Sequence, residues 1–193
     1  MAGENQTLRP LQDVDPKDVI PFYTLDGGGS IPQNKGLLVK LVGSGWTADQ
    51  DPTEMLGSPG ATYGNTVSQR YGVTAKVTAA GTGDAVVGMT LFDLKEVDEN
   101  GEQLKFNPRK QQEIEAVISG QAMPLVTRGR FLYSGITGAV TAGDVLYAGP
   151  DGVIESIAAN AHNGDLDDDA TVVGRALGSK DSNGWVLISL DIR

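Results

Sequence analysis

His162 is the sole histidine of the chain. It stands in "AANAHNGDLDDD", just ahead of Asp165, Asp167, Asp168 and Asp169. An imidazole beside carboxylates is a donor set for a metal ion. A calcium loop, however, needs oxygen donors at alternate positions, glycine at the sixth and glutamate at the twelfth. Counted from Asp165, the sixth residue is Ala170 and the twelfth is Ala176. Counted from Asp98 in "DENGE", the twelfth is Arg109. Both patterns fail, so no metal site is predicted. The expectation is a solvated acidic loop at 165–169 and a hairpin at "DENG", where Asn-Gly is a strong turn signal.

Nucleophilic catalysis needs a base held near a Ser, Thr or Cys. The chain has no cysteine, and its one histidine lies in a polar loop. No G-x-S-x-G elbow occurs. "GSGW" lacks the Lys-Thr pair of a phosphate loop, and "GTGDAVVG" runs into β-branched residues rather than opening a helix. Among 25 acids nothing selects a catalytic pair. "KFNPRK" at 105–110 is the most basic cluster. It is too short for a nucleic-acid patch. Arg109 and Lys110 are therefore read either as plain surface or as a salt-bridged contact, one candidate being a neighbouring subunit. The sequence predicts no enzyme and no cofactor.

The glycine-rich stretch "GAVTAGDVLYAGPDGVI" at 138–154 raises the same question. Gly143-Asp144 and Pro150-Asp151-Gly152 have the look of site loops, yet no base or phosphate-binding helix accompanies them. They fit tight turns. The stretch reads as two strands and their corners, with Val145 and Tyr147 on one face and Leu146 on the other.

The elements that hold these residues are short strands. Twenty-six glycines in 193 residues is roughly double the usual frequency of about 7%. "LLVKLV", "YGVTAKVTAAG" and "DAVVGMTLFDLKEVD" are β candidates, and "EQLKF" returns after the hairpin. "PLVTRGRFLYSG", "AVTAGDVLYAG", "GVIES", "ATVVGRALG" and "GWVLISLDIR" follow. In the last, Val186, Ile188 and Leu190 alternate with Leu187, Ser189 and Asp191, the period of a half-buried strand. One helix is predicted at 108–119, with Asn107 as N-cap, Pro108 at its first position and Ile114, Val117 and Ile118 as an apolar stripe. "VVGMTL" at 86–91 echoes "VVGRAL" at 172–177. The class is mainly β, a sandwich or barrel.

Residues 1–36 differ in composition. Pro10, Pro16, Pro21, Pro32 and Gly27-Gly28-Gly29 forbid a helix, while Leu8, Val19, Phe22, Tyr23 and Leu25 supply apolar anchors. This is either a disordered tail or, the reading preferred here, an extended arm that gains order by packing on something, as by adding strands to a neighbour or laying side chains on it. The β-region 37–193 follows. It is either one domain or two subdomains, 37–107 and 121–193, joined by the helix; the sequence leaves both open. Residues 46–70 form a long loop with a helical turn at 53–56, headed by Trp46, which is split between core and contact. Trp185 is expected in the core.

The net charge is −10 and the sequence pI about 4.4, a field that repels nucleic acid and anionic lipid. No apolar stretch is long enough to span a membrane, and "MAGENQTLRP" has no basic region followed by an apolar core, so no signal peptide is predicted.

"SGITGAVTAGDVLYAGPDGVI" and, after a spacer, "TVVGRALGSKDSNGWVLISLDIR" resemble the C-terminal half of small phage capsid cement or decoration proteins. Three runs carry the likeness: 140–147, 172–177 and 186–190. Residues 86–123 resemble the mid-region of phage structural proteins. The arm and the 46–70 loop have no counterpart in it. The resemblance implies a β-tulip-like barrel or sandwich and a homotrimer. It implies a seat on the major capsid protein at the outer surface of a phage head, made in the bacterial host cytoplasm. On that reading Leu8, Val19, Phe22, Tyr23, Leu25, Trp46, Arg109 and Lys110 are the candidate interface residues. The alternatives are another virion part (tail, neck or fibre base) and a carbohydrate-binding β-module stacking sugars on Trp46, Tyr63 or Trp185.

Overall fold

The computed structural model describes residues 7–25, 34–45, 75–156, 161–162, 165–166 and 171–192. Trp46, Tyr63, the 53–56 turn and Asp167 to Asp169 lie outside them, as do the side chains of His162 and Asp165.

The fold is mainly β, built as a closed barrel and an open sheet. The strands are β1 (Thr7–Pro10), β2 (Val19–Leu25), β3 (Leu38–Leu41), β4 (Lys76–Ala79), β5 (Gly88–Thr90), β6 (Asp93–Leu94), β7 (Ala116–Val117) and β8 (Met123–Val126). They continue with β9 (Arg128–Ser134), β10 (Val145–Ala148), β11 (Ile154–Ser156), β12 (Ala161–His162), β13 (Asp165–Leu166), β14 (Val172–Ala176) and β15 (Trp185–Asp191). The barrel closes in the order β2-β4-β3-β5-β8, with β2 parallel to β4 and every other pair antiparallel. The sheet runs β1-β9-β15-β14-β10-β11, antiparallel throughout.

Alternation explains the sheet. Phe131 and Tyr133 on β9, and Val186, Ile188 and Leu190 on β15, are buried on its inner face. They share a core with Leu38, Ala80, Val86, Met89 and Val126 of the barrel side, so barrel and sheet pack on each other. Leu37, Val39, Val77 and Leu125 fill the barrel itself. Thr127 is the single residue between β8 of the barrel and β9 of the sheet, and residues 11–18 connect β1 of the sheet to β2 of the barrel. The predicted run "PLVTRGRFLYSG" is thus two strands.

Of the corners in 138–154, the first closes on itself and the second joins the sheet to the barrel side. Thr141 N–H and Oγ1–H both donate to the Asp144 carboxylate at 2.8 Å, which closes the first turn. In the second turn Gly152 N–H donates to Ala80 O at 2.6 Å. A Cβ at Gly152 would stand 2.6 Å from the Leu38 carbonyl oxygen, so this corner is a seam where only glycine fits.

The helix differs from expectation. It spans only Pro108–Glu113, here α1. Pro108 holds the first turn, but Asn107 makes no side-chain cap; its Nδ2 reaches Gln103 O at 3.4 Å. Glu115 turns the chain at φ +51. The expected stripe fails because its residues serve different cores. Val117 fills the barrel, while Ile118 packs with Leu104 and Ala116 in a separate small cluster that Ile114 borders.

Nor does the helix join two subdomains. Barrel strands β5 and β8 pair directly, Met89 with Val126 and Thr90 with Leu125. Residues 91–122 are therefore one excursion between adjacent strands of the same barrel. It holds β6, β7, the hairpin and α1. "EQLKF" returns by one bridge, Val97 to Gln103, and then a 3-10 turn at Leu104–Phe106 rather than a strand.

Residues 7–25 are likewise part of the chain's own fold. β1 is the edge of the six-stranded sheet and β2 is a barrel strand.

Candidate interaction site

The excursion 91–122 carries a pocket of about 310 Å³ lined by Lys95, Val97, Asp98, Glu99, Asn100, Lys110 and Ile114. Sequence places its two halves apart. The hairpin brings Lys95 to Asn100, and α1 brings Lys110 and Ile114. Asp98 ties them together. Its carboxylate is buried, at 2% side-chain exposure. Oδ1 accepts the backbone N–H groups of Asn100 at 2.9 Å and Glu102 at 2.7 Å. Oδ2 faces the Lys110 ammonium as an ion pair, and Lys110 also reaches Glu102 at 3.1 Å.

Charge and burial oppose each other here. The Lys110 ammonium holds the Asp98 carboxyl below its ordinary range, and the two backbone N–H groups add to this against the cost of burial. Asp98, then Glu102, raises the Lys110 pKa. Both groups stay charged at neutral pH and neutralise each other. Neither is poised as a general acid or base, which needs a pKa near the working pH. The pair is a latch between hairpin and helix. A second latch fixes the excursion to the barrel: Lys35 N–H donates to Asp93 Oδ1 at 2.7 Å and its ammonium pairs with Glu115 at 2.8 Å.

The expected interface residues do not converge on this site. Leu8 is 1% exposed and sits in the core between sheet and barrel, and Leu25 is 3% exposed inside the barrel. Both are corrected from partner contacts to internal packing, because the arm's apolar residues are consumed by the chain's own sheets. Val19 pairs with Val126 and is half-buried; Tyr23 packs on the barrel core. Phe22 stands out at 61% exposure. Arg109 is exposed and bonds Glu113 at 3.1 Å along α1. Lys110 is the latch. Arg109 and Lys110 thus pair within the chain, while the Lys105 ammonium lies 5.0 Å from the Phe106 ring centroid.

Trp185 is not in the core. It starts β15 half-buried on the outer face of the sheet, with the Arg9 guanidinium 4.9 Å from its ring centroid. Sequence reasoning missed Asp98 as an anchor, because Lys110 is distant along the chain until the excursion folds.

Among the described residues no group of three or more His, Asp or Glu side chains could hold a metal ion, and no described helix is long and apolar enough to cross a membrane. No family model matches the chain, and no curated protein matches it.

Proposed function

We propose that this chain is a non-enzymatic structural protein of the phage virion. It binds the major capsid protein on the outer surface of the head as cement, and does so as a homotrimer. The observation that supports the reading is where the resembling residues fall. The runs 140–147, 172–177 and 186–190 are neighbours in space, on β10, β14 and β15 of one sheet. The likeness therefore covers a contiguous structural unit rather than scattered strands. The closed barrel and the charge-neutralised latch fit a protein that holds shape rather than turns over substrate. The reading assigns no cofactor. Phe22 and Phe106 are the phenylalanines left exposed among the described residues, Phe22 on a barrel strand and Phe106 at the end of the 3-10 turn, and large aromatics dominate interface energetics. Repeated copies on a lattice gain by multivalency.

Cryo-electron microscopy of the virion tests this. Density fitting the barrel and sheet on the outside of the head is expected. Density confined to tail, neck or fibre base would reject the head assignment in favour of another virion part, and absence from the particle would reject the whole reading.

A further inference from the structure

The outer face of the six-stranded sheet runs against the charge of the whole molecule. Alternation sends Arg128, Arg130 and Leu132 outward from β9, Leu187 and Ser189 outward from β15, and Arg175 outward from β14. Register then sets them side by side. Arg130 faces Ser189, and Ser189 faces Arg175, across three neighbouring strands. At strand spacings of about 4.8 Å the two arginine Cα atoms stand roughly 10 Å apart. The next row is Arg9, Leu132 and Leu187, with the Leu177 N–H bonded to Leu187 O at 2.7 Å. Leu177 is 46% exposed.

Arg128 pairs with Asp191 at 2.9 Å, and Arg9 lies over Trp185. Arg130 and Arg175 are exposed and have no carboxylate partner among the described residues. Four of the chain's seven arginines lie on these strands, and none of its eight lysines does. Plain solvation favours neither cation, whereas protein interfaces enrich Arg and deplete Lys. Leucines between arginines give the apolar centre and charged rim of a contact patch. The four arginines stand against Asp191 on these strands, so the rest of a chain of net charge −10 carries −13.

We infer that this arginine–leucine face docks the acidic surface of a second copy of the chain, head to tail, with Arg130 and Arg175, which have no carboxylate partner among the described residues, as its cations. Charge complementarity identifies the occupant: the molecule carries both halves of the contact. A head-to-tail contact is heterologous, and it closes into a ring when its rotation allows. The inference deepens the trimer part of the reading above and is independent of the virion part. A chain found on heads yet monomeric in solution fails this inference alone. A self-associating chain absent from virions fails only the other.

Sedimentation velocity of the purified full chain at low salt and at about 0.5 M salt is the test, since exposed charge contacts are screened as salt rises. Association at low salt that weakens at high salt is expected. An Arg130→Glu/Arg175→Glu variant should associate about tenfold more weakly or worse. Its urea midpoint should match the parent, and Arg130→Gln/Arg175→Gln should fall between. A monomer at every concentration in low salt would overturn the inference, as would association indifferent to the double reversal. A fluorescent DNA duplex bound by a monomeric parent and lost in the variant would assign the face to polyanions instead, and would overturn it too.

Discussion

Asp98 and Asp181 build the same turn, one in the excursion 91–122 and the other between β14 and β15. In "DENGE" and "DSNGW" the aspartate Oδ1 accepts two backbone N–H groups. Asn100 and Glu102 donate at 2.9 and 2.7 Å in the first, Asn183 and Trp185 at 2.8 Å each in the second. In both, the glycine N–H donates to the aspartate carbonyl at 3.1 Å. The two differ in Oδ2, which meets Lys110 only at Asp98. Asp181→Ala removes two hydrogen bonds and should cost about 1–2 kcal/mol. Asp98→Ala removes the same two and also strands Lys110, so it should cost more. Urea unfolding of both variants gives the comparison; an equal or smaller loss at Asp98 would mean the ion pair adds nothing.

The latch also sets a pH response. Asp98 titrates below 3.8 in the fold, chiefly through Lys110, so its stabilisation is present above the unfolded value and is lost as pH falls through the lower folded one. Lys110 titrates above 10.5, so its stabilisation is present below 10.5 and is lost as pH rises through the higher folded value. Asp84 and Asp144 are lowered too, by Lys40 and by the Thr141 hydrogen bonds, and share the acid limb. The expected Tm is level between about pH 4 and pH 10 and declines on either side. In Asp98→Asn the amide still accepts the turn's N–H groups while the charge is gone. The drop in Tm from pH 7 to pH 3 should therefore be smaller than in the parent. An undiminished drop would place the acid sensitivity elsewhere.

The echo "VVGMTL" and "VVGRAL" places a glycine against a neighbouring strand in each half of the fold. A Cβ at Gly174 would drive into the Ser189 carbonyl across β14 and β15, and two backbones cannot part without breaking the ladder. At Gly88 a Cβ would lie 3.1 Å from Leu125 Cβ and 3.2 Å from Val126 O, a tightness that a small shift relieves. Gly174→Ala should cost about 3 kcal/mol or more and Gly88→Ala about 1 kcal/mol. Thermal unfolding of the pair gives the ranking, and equal Tm losses would show that β14 can move.

What could be read from sequence was what alternation governs. Val186, Ile188 and Leu190 on β15, and the turns at Asp144 and Gly152, follow from period and turn chemistry local to a few residues. The end of α1 did not, because Val117 and Ile118 are adjacent in sequence but belong to separate cores, and a helical stripe of the same letters fits equally well. The 91–122 excursion was hidden because β5 and β8 pair across it. The arginine face was present in "RGRFLYSG", where Arg128 and Arg130 alternate with Phe131 and Tyr133 in side. Its meeting with Arg175 depends on the β9-β15-β14 order, which no local pattern encodes.

The first two strands set an internal apolar residue against an external one. Leu8 pairs with Tyr133 in register and is 1% exposed, while Phe22 on β2 is 61% exposed. Leu8→Ala should cost about 2–5 kcal/mol, because it empties a packed site shared by barrel and sheet. Phe22→Ala should stay within about 0.5 kcal/mol of the parent. Removing residues 1–10 deletes β1 altogether, exposes the edge of β9 and opens the Leu8 site. The shortened chain is expected to lose its cooperative transition or to precipitate, instead of leaving a folded β-core free of its arm. Urea denaturation followed by tryptophan fluorescence, with light scattering for the truncation, reads all three. A Leu8→Ala protein with the parent's midpoint would return β1 to the role of a detachable arm.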